Sequence, residues 1–429
     1  MNLNYLIKYQ NLVLIFFSLN IFFWDIRFDF VQLRFFYLFL AINLILNTKI
    51  TKDIISNFFY YLILISFFFL HLYLNYKVDQ IFVLKNYITS IILVLSIAIV
   101  WVNFEEIKKN FILIIDFFLF TFVITTIIYY FLYYDILIES LKSGCSYLSG
   151  MFSEKINYLK GVKRFYLENS HLAMISPAVI SYYIFKITLK DLSLYSILRI
   201  IFFILFVIIC LHNFSFVFFV GLILSLLTLM LINFKKIFIY NYISIIFLII
   251  FSYIFIISSD KSCNEKLSDI GKFVTQDQTI YFDNNSNNDE KIKYNLSLAV
   301  YFQNFDIAVQ SLVNRPFGFG LNNYKIAFDK FESSSRKRHF NLKQGQKLNF
   351  MDGTNNLFKA IAEFGVFAII LFLFIFFLSF SRRIPFDLKS FVIPLLVVQT
   401  FLRSSGYFNG GYLLCIIIFF IFYLKYKKF

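Results

Sequence analysis

The sequence predicts an all-α fold, a polytopic transmembrane helical bundle of about 12 spans with one large extracytoplasmic loop containing an amphipathic helix. Three observations predict it. Of the 429 residues, 60% are hydrophobic and only 15% charged, whereas a soluble domain carries about a quarter charged residues to cover its surface. Apolar runs of membrane length recur from end to end, and the mean hydropathy is +0.74. The basic residues behind the net charge of +15 punctuate those runs instead of gathering in a patch. A soluble enzyme, a disordered scaffold and a secreted disulfide framework are excluded. The charge excess reads as topology, with no nucleic acid as partner. The 63 Phe read as genome bias filling lipid-facing positions.

The runs fall at 10–24, 31–46, 58–74, 87–102 and 111–134, then at 171–187, 194–211, 214–232 and 237–257. A hydrophilic stretch, 258–352, precedes the last runs at 356–380, 391–401 and 407–423. Residues 1–257 thus hold the earlier spans with a smaller loop at 135–170, residues 258–352 form the large loop, and residues 353–429 hold the final spans. An even count puts both termini on one side. Lys8, Lys49, Lys52, Lys108, Lys109, Lys186, Lys190, Lys235, Lys236, Arg382, Arg383, Lys389, Lys425, Lys427 and Lys428 mark that side as cytoplasmic. The short outside turns carry only Arg27, Lys77, Lys85 and Arg403, so both long loops face out. The first run, preceded by Lys8 and lacking a small-residue cleavage site, reads as an uncleaved signal anchor.

The large loop has internal order. The polar run 283–290 lacks the sixth-position Gly and twelfth-position Glu of a calcium loop and reads as solvated chain. Apolar residues from Leu298 to Val313 give a helix over 294–314, which lies on the membrane surface or on the bundle and ends at Arg315-Pro316. A turn at Phe317-Gly-Phe-Gly-Leu321 follows, then a basic polar stretch, 332–347, around His339. Inverted repeats and Gly- or Pro-broken central helices, which a transporter would show, are not evident, nor is a channel filter motif. One long ordered loop late in the chain suits an enzyme whose site faces outward.

Three stretches resemble the bacterial O-antigen polymerase and O-antigen ligase superfamily of membrane glycosyl transferases. Arg164-Phe-Tyr-Leu-Glu-Asn-Ser-His-Leu-Ala173 looks like the family's arginine and Asn-containing cluster at the start of a span. Asn314-Arg-Pro-Phe-Gly-Phe-Gly-Leu-Asn-Asn-Tyr324 is similar to its Pro, Gly-x-Gly and aromatic turn after a loop helix. Asp352-Gly-Thr-Asn-Asn-Leu-Phe-Lys-Ala-Ile-Ala-Glu-Phe-Gly365 resembles its polar turn, apolar helix and Glu-x-Gly. Their order relative to the loops also matches, over roughly residues 160–380. Thr354-Asn355 stands where the family often has His-Asn, and His212-Asn-Phe-Ser215 replaces a Ser-Arg turn. In ligases that His is proposed to activate the acceptor, so its absence favours polymerase over ligase.

The resemblance implies transfer of a glycan from an undecaprenyl-diphosphate-linked oligosaccharide to a lipid-linked repeat unit, at the periplasmic face of a bacterial inner membrane. The lipid bilayer is then a partner, with a chain-length regulator as a further one. A departing diphosphate gathers negative charge that forked arginine hydrogen bonds stabilise. Arg164 and Arg315 are candidates for that catalytic role, with Arg403 in the substrate-binding set. Against these stand blander readings: Arg164 as a topology or headgroup charge and Arg315 as a helix-end charge partner. The glycines of Arg403-Ser-Ser-Gly-Tyr-Phe-Asn-Gly-Gly411 allow close backbone approach to a ligand or close a tight helical hairpin. The acceptor needs a general base, for which His171, His339 and Asp352 are the catalytic candidates. His339 within Arg336-Lys-Arg-His339 equally reads as a basic face that holds diphosphate or anionic lipid. Glu168, Asn169, Gly318, Gly320, Arg336, Arg338, Asn355, Asn356, Glu363 and Tyr407 complete the substrate-binding set. Glu363 is costly in lipid and should face the bundle. Without an Asp-x-Asp motif or a His/Cys cluster of ligand spacing, neither metal nor cofactor is expected. Cys145 and Cys263 are placed to pair in an oxidising periplasm. The rival readings are an O-antigen ligase, acting on lipid A core or protein, and a polysaccharide flippase.

Overall fold

The computed structural model describes residues 25–27, 32–34, 66, 104–132, 169–186, 194–212, 216–232, 296–339, 349, 353–404, 406–407 and 411–425. The runs expected at 10–24, 87–102 and 237–257, nearly all of those at 31–46 and 58–74, the loop 135–168, the 283–290 run, Cys145 and Cys263 lie outside the described residues.

A short antiparallel ribbon, β1 (Asp25–Arg27) with β2 (Gln32–Arg34), sets Asp25 opposite Arg34. It occupies the turn expected between the first two runs and takes in the start of the second. Every other described element is helical.

The apolar bundle begins with α1 (Phe104–Leu132), which extends the expected run towards its N-terminus by nearly two turns through Glu105, Lys108 and Lys109. Helices α2 (Asn169–Lys186), α3 (Leu194–His212) and α4 (Phe216–Ile232) match the expected runs closely. Beyond these lie α5 (Leu296–Asn314), as expected, and α6 (Tyr324–His339). Helix α6 takes in the first part of the basic polar stretch: Tyr324, Ala327, Phe328 and Phe331 recur at helical spacing and bury that face against Ile307, Phe319 and Ala362. The run expected at 356–380 is divided at Gly365 into α7 (Asn356–Phe364) and α8 (Val366–Ser379). The next forms α9 (Phe386–Val397), which widens into a π-helical turn, Val398–Leu402, and α10 (Tyr412–Lys425) is the last described helix. Lys389, expected in a solvent-facing turn, is buried inside α9 because that helix starts five residues earlier than the apolar run. Among the described residues, one window, Phe111–Ile128, is long and apolar enough to cross a membrane, with a mean hydropathy of 2.6.

Helices α2, α4 and α9 pack on one another, with α3 against α1 and α2, and α10 against α9. Gly221 of α4 permits the closest approach. A Cβ there would lie 2.9 Å from Val398 Cγ2 and 3.4 Å from Pro177 Cγ. Ring contacts place the start of α1, the end of α2, the start of α9 and the end of α10 at one end of the bundle. Phe104 at the start of α1 meets Phe422 near the end of α10 at 4.6 Å, and Phe185 at the end of α2 meets Phe386 at the start of α9 at 5.2 Å. At this same end Lys186 bonds Asp387, and the Arg383 guanidinium lies 5.1 Å from the Tyr423 ring. Lys186 and Arg383 thus lie at this end of the bundle.

The bundle also contains a buried charge. Asp116 of α1 accepts hydrogen bonds from Tyr183 (2.6 Å), Tyr195 (2.7 Å) and Arg199 Nη2 (2.8 Å), and Arg199 Nε completes a forked pair at 3.0 Å. Both residues interrupt otherwise apolar helices, and neither charge would be tolerable alone in such surroundings. Together they tie α1, α2 and α3. Asp116→Ala leaves Arg199 without its counter-charge and should cost about 3–5 kcal/mol. The double substitution Asp116→Asn with Arg199→Gln should recover part of that loss, as read by thermal unfolding in detergent.

Candidate functional site

The site begins with a helix break. Helix α7 ends at Phe364, and an α-helix leaves its last carbonyls without intrahelical donors. The turn after α5 supplies them: Phe319 N–H donates to Ala362 O (3.0 Å) and Gly320 N–H to Glu363 O (2.7 Å). In return Val366 N–H, at the start of α8, donates to Pro316 O at 2.8 Å. The second and third stretches singled out in the sequence therefore interlock through backbone. Gly318 (φ +77°) and Gly365 (φ +56°) make this possible. A Cβ on Gly318 would lie 2.2 Å from Glu363 O, and one on Gly365 1.8 Å from Pro316 O. Gly318 and Gly320, named as substrate-binding candidates, have their amides bonded within the chain, Gly318 N–H to Arg315 O and Gly320 N–H to Glu363 O.

Around this interlock lies a buried polar hub. Asn355 caps α7, its Oδ1 accepting from Phe358 N–H at 2.9 Å, while its Nδ2 donates to Phe401 O at 3.1 Å. Tyr301 of α5 donates to the same carbonyl at 2.9 Å. Phe401 O is open to these donors because the helix it belongs to ends one residue later. Ser404 ties the following turn down, N–H to Thr354 O (2.9 Å) and hydroxyl to Asn356 Oδ1 (3.0 Å). Asn304 Nδ2 donates to Thr354 Oγ1 at 2.7 Å, and Asn304 Oδ1 accepts from the Tyr324 hydroxyl. Burial, with the Glu363 carboxyl next in effect, raises the Tyr324 hydroxyl well above the usual phenol range, so it remains a neutral donor.

Thr354 sits at φ +66°, a backbone conformation that costs a β-branched residue about 1–3 kcal/mol. Two hydrogen bonds to its hydroxyl, from Asn304 and from Asn349 at 3.5 Å, hold it there. Thr354 is thus a point of backbone strain beside the hub.

Glu363 is fully buried. Its Oε1 accepts from Tyr324 N–H at 3.3 Å, at the start of α6, where a helix favours negative charge. The Tyr407 hydroxyl faces the same carboxyl without closing a hydrogen bond in standard geometry. Lys359, absent from the sequence-derived candidates, is buried one turn earlier on α7 with its Nζ 5.2 Å from the Tyr407 ring centre. Its signal was its position: a lysine four residues before Glu363 falls on the same helix face.

The structure therefore brings together Asn355, Asn356, Glu363, Gly318, Gly320 and Tyr407, with Arg403 one residue before Ser404. Arg315 is near the interlock, but its guanidinium lies over the Phe319 ring at 4.8 Å. Arg164, Glu168 and Asp352 lie outside the described residues, as do the side chains of Asn169, His171, Arg336, Arg338 and His339, whose backbones are helical. Gly365→Ala should cost about 3 kcal/mol or more, because the backbone conformation and the Pro316 contact both forbid a side chain. The measurement is a lowered melting temperature in detergent with helical content retained.

No family model, no curated protein and no solved structure matches the chain.

Proposed function

We propose that this chain is a polytopic bacterial inner-membrane polymerase of a surface polysaccharide, with about 12 spans, cytoplasmic termini and a periplasmic site. It transfers a glycan from an undecaprenyl-diphosphate carrier to a sugar hydroxyl on a second lipid-linked repeat unit. The observation that carries the reading is the interlock: two of the three family-like stretches, 49 residues apart by the separation of Pro316 and Gly365, meet through their own motif residues. The turn bearing Arg403 joins them through Ser404. Exposed apolar faces support the membrane setting. Helix α8 exposes Phe367, Ile370, Phe374 and Phe377, and α3 exposes Leu194, Ile197, Ile201 and Ile204.

The role assigned to Arg403 is to hold the departing diphosphate, where a guanidinium fork matches two oxygens and an ammonium does not. Thr354 favours polymerase over ligase, because a hydroxyl bonded into the fold is a poor substitute for an activating imidazole.

Deleting the gene and resolving the surface glycan on a gel tests the reading. A single repeat on lipid A is the expected result. Bare core with lipid-linked polymer would mean ligase, and loss of outward repeat units would mean flippase. Arg403→Lys, restored to the deletion strain, should lower polymer formation about 10²-fold without loss of protein from the membrane.

A further inference from the structure

Helix α5 is amphipathic the wrong way round for water. Between Val300 and Val313 its exposed residues are Phe305, Val309 and Val313, spaced i, i+4 and i+8 in one line along the helix. The polar residues lie on its buried face: Gln303, Asn304, Asp306 and Ser311 are all buried, and Asn304 is bonded into the hub. A surface helix in water turns its apolar stripe to the core and its polar residues outward. The reverse arrangement is the favourable one against hydrocarbon, where polar groups must be satisfied inside the protein.

Helix α6, which packs on α5, is the contrast. Over residues 324–331 its exposed positions are Lys325, Ile326, Asp329 and Lys330, and its buried ones include Tyr324, Ala327, Phe328 and Phe331. That is the ordinary pattern for water. Two neighbouring helices therefore face two solvents, and the boundary runs between them.

The apolar line continues beyond α5. Phe317, 73% exposed, lies with its ring 5.7 Å from that of Phe367, and the exposed face of α8 carries on through Ile370, Phe374 and Phe377. Helix α8 is too short to cross a bilayer by itself: its 14 residues rise about 21 Å against about 30 Å of hydrocarbon. The exposed Arg382 and Arg383 hold its C-terminal end at a polar boundary. The shortfall of about 9 Å thus falls at the Val366 end, where the chain from α5 adjoins it. The line from Phe305 to Val313, about 12 Å along α5, is the apolar surface that continues from there.

We propose that α5 is embedded in the outer leaflet, with Phe305, Val309, Val313 and Phe317 against lipid acyl chains while α6 faces water. The inference rests on the membrane setting of the polymerase reading and not on its reaction. It lowers the hub from a periplasmic loop to the depth of the lipid headgroups, the level at which a diphosphate on a membrane-anchored carrier lies.

The test uses the full chain in liposomes, carrying Trp24→Phe and Trp101→Phe and a single tryptophan returned at one chosen position. Val309→Trp and Val313→Trp report on α5, Ile370→Trp on α8 and Lys330→Trp on α6. Phosphatidylcholine with brominated acyl chains quenches emission from the hydrocarbon side, and iodide quenches it from water. Both α5 variants should lose at least half as much emission to brominated lipid as Ile370→Trp does and little to iodide, while Lys330→Trp shows the opposite. Quenching of the α5 variants by iodide alone overturns the proposal. Quenching by neither agent also overturns it, and means that a second copy of the chain or other protein covers the line. Should Val309→Trp misfold, Val313→Trp decides alone, at a position 75% exposed. If Ile370→Trp is itself untouched by brominated lipid, the membrane reading falls and takes this assignment with it.

Discussion

Two carbonyls at the end of a nine-residue helix, those of Ala362 and Glu363, need donors that their own helix cannot give. The turn from Pro316 to Gly320 brings two amides to them and receives one from Val366 in exchange. That exchange lets an apolar run stop and restart without stranding any backbone group in a poorly solvated place. It also fixes α7 as an independent piece, able to present one face to the hub and to end where Glu363 meets the start of α6. The glycines matter because backbone is meeting backbone, at distances no side chain would survive.

The molecule separates its charges by depth of use. At one end of the bundle, Asp116 and Arg199 are fully engaged with each other and with two tyrosines, and nothing is left over for a ligand. At the far end of α9, about 20 Å along the helix axis from Asp387, the polar groups are only partly engaged. A saturated network rigidifies, and an unsaturated one is where chemistry can happen.

Much of the bundle was legible in the sequence, because an apolar run bounded by charge is a strong signal for α2, α3 and α4. What escaped were interruptions within the runs. Arg199 and Asp116 were passed over as single charges in apolar stretches, although each is costly enough to imply the other. Gly365 was read as part of a Glu-x-Gly turn, but only the contact with Pro316 showed that the helix stops there. Helix α6 was hidden by its basic second half, while Tyr324, Ala327, Phe328 and Phe331 carried the periodicity in its first. The site was half legible: motif order picked out Asn355, Asn356, Glu363 and Tyr407, but only tertiary structure could show Lys359 among them. The Gly318 and Gly320 pair was placed in the substrate-binding set by its resemblance, while its amides bond to the chain itself.

The π-helical turn at Val398–Leu402 adds one residue to the register of α9 at the point where that helix reaches the hub. Each residue in a regular helix advances the chain by about 100°. A chain one residue shorter here would form a continuous α-helix, swing everything after it by about that angle, and carry Arg403, Ser404 and Tyr407 away from α7. The extra residue at this turn therefore sets the rotation that brings the hub against α7.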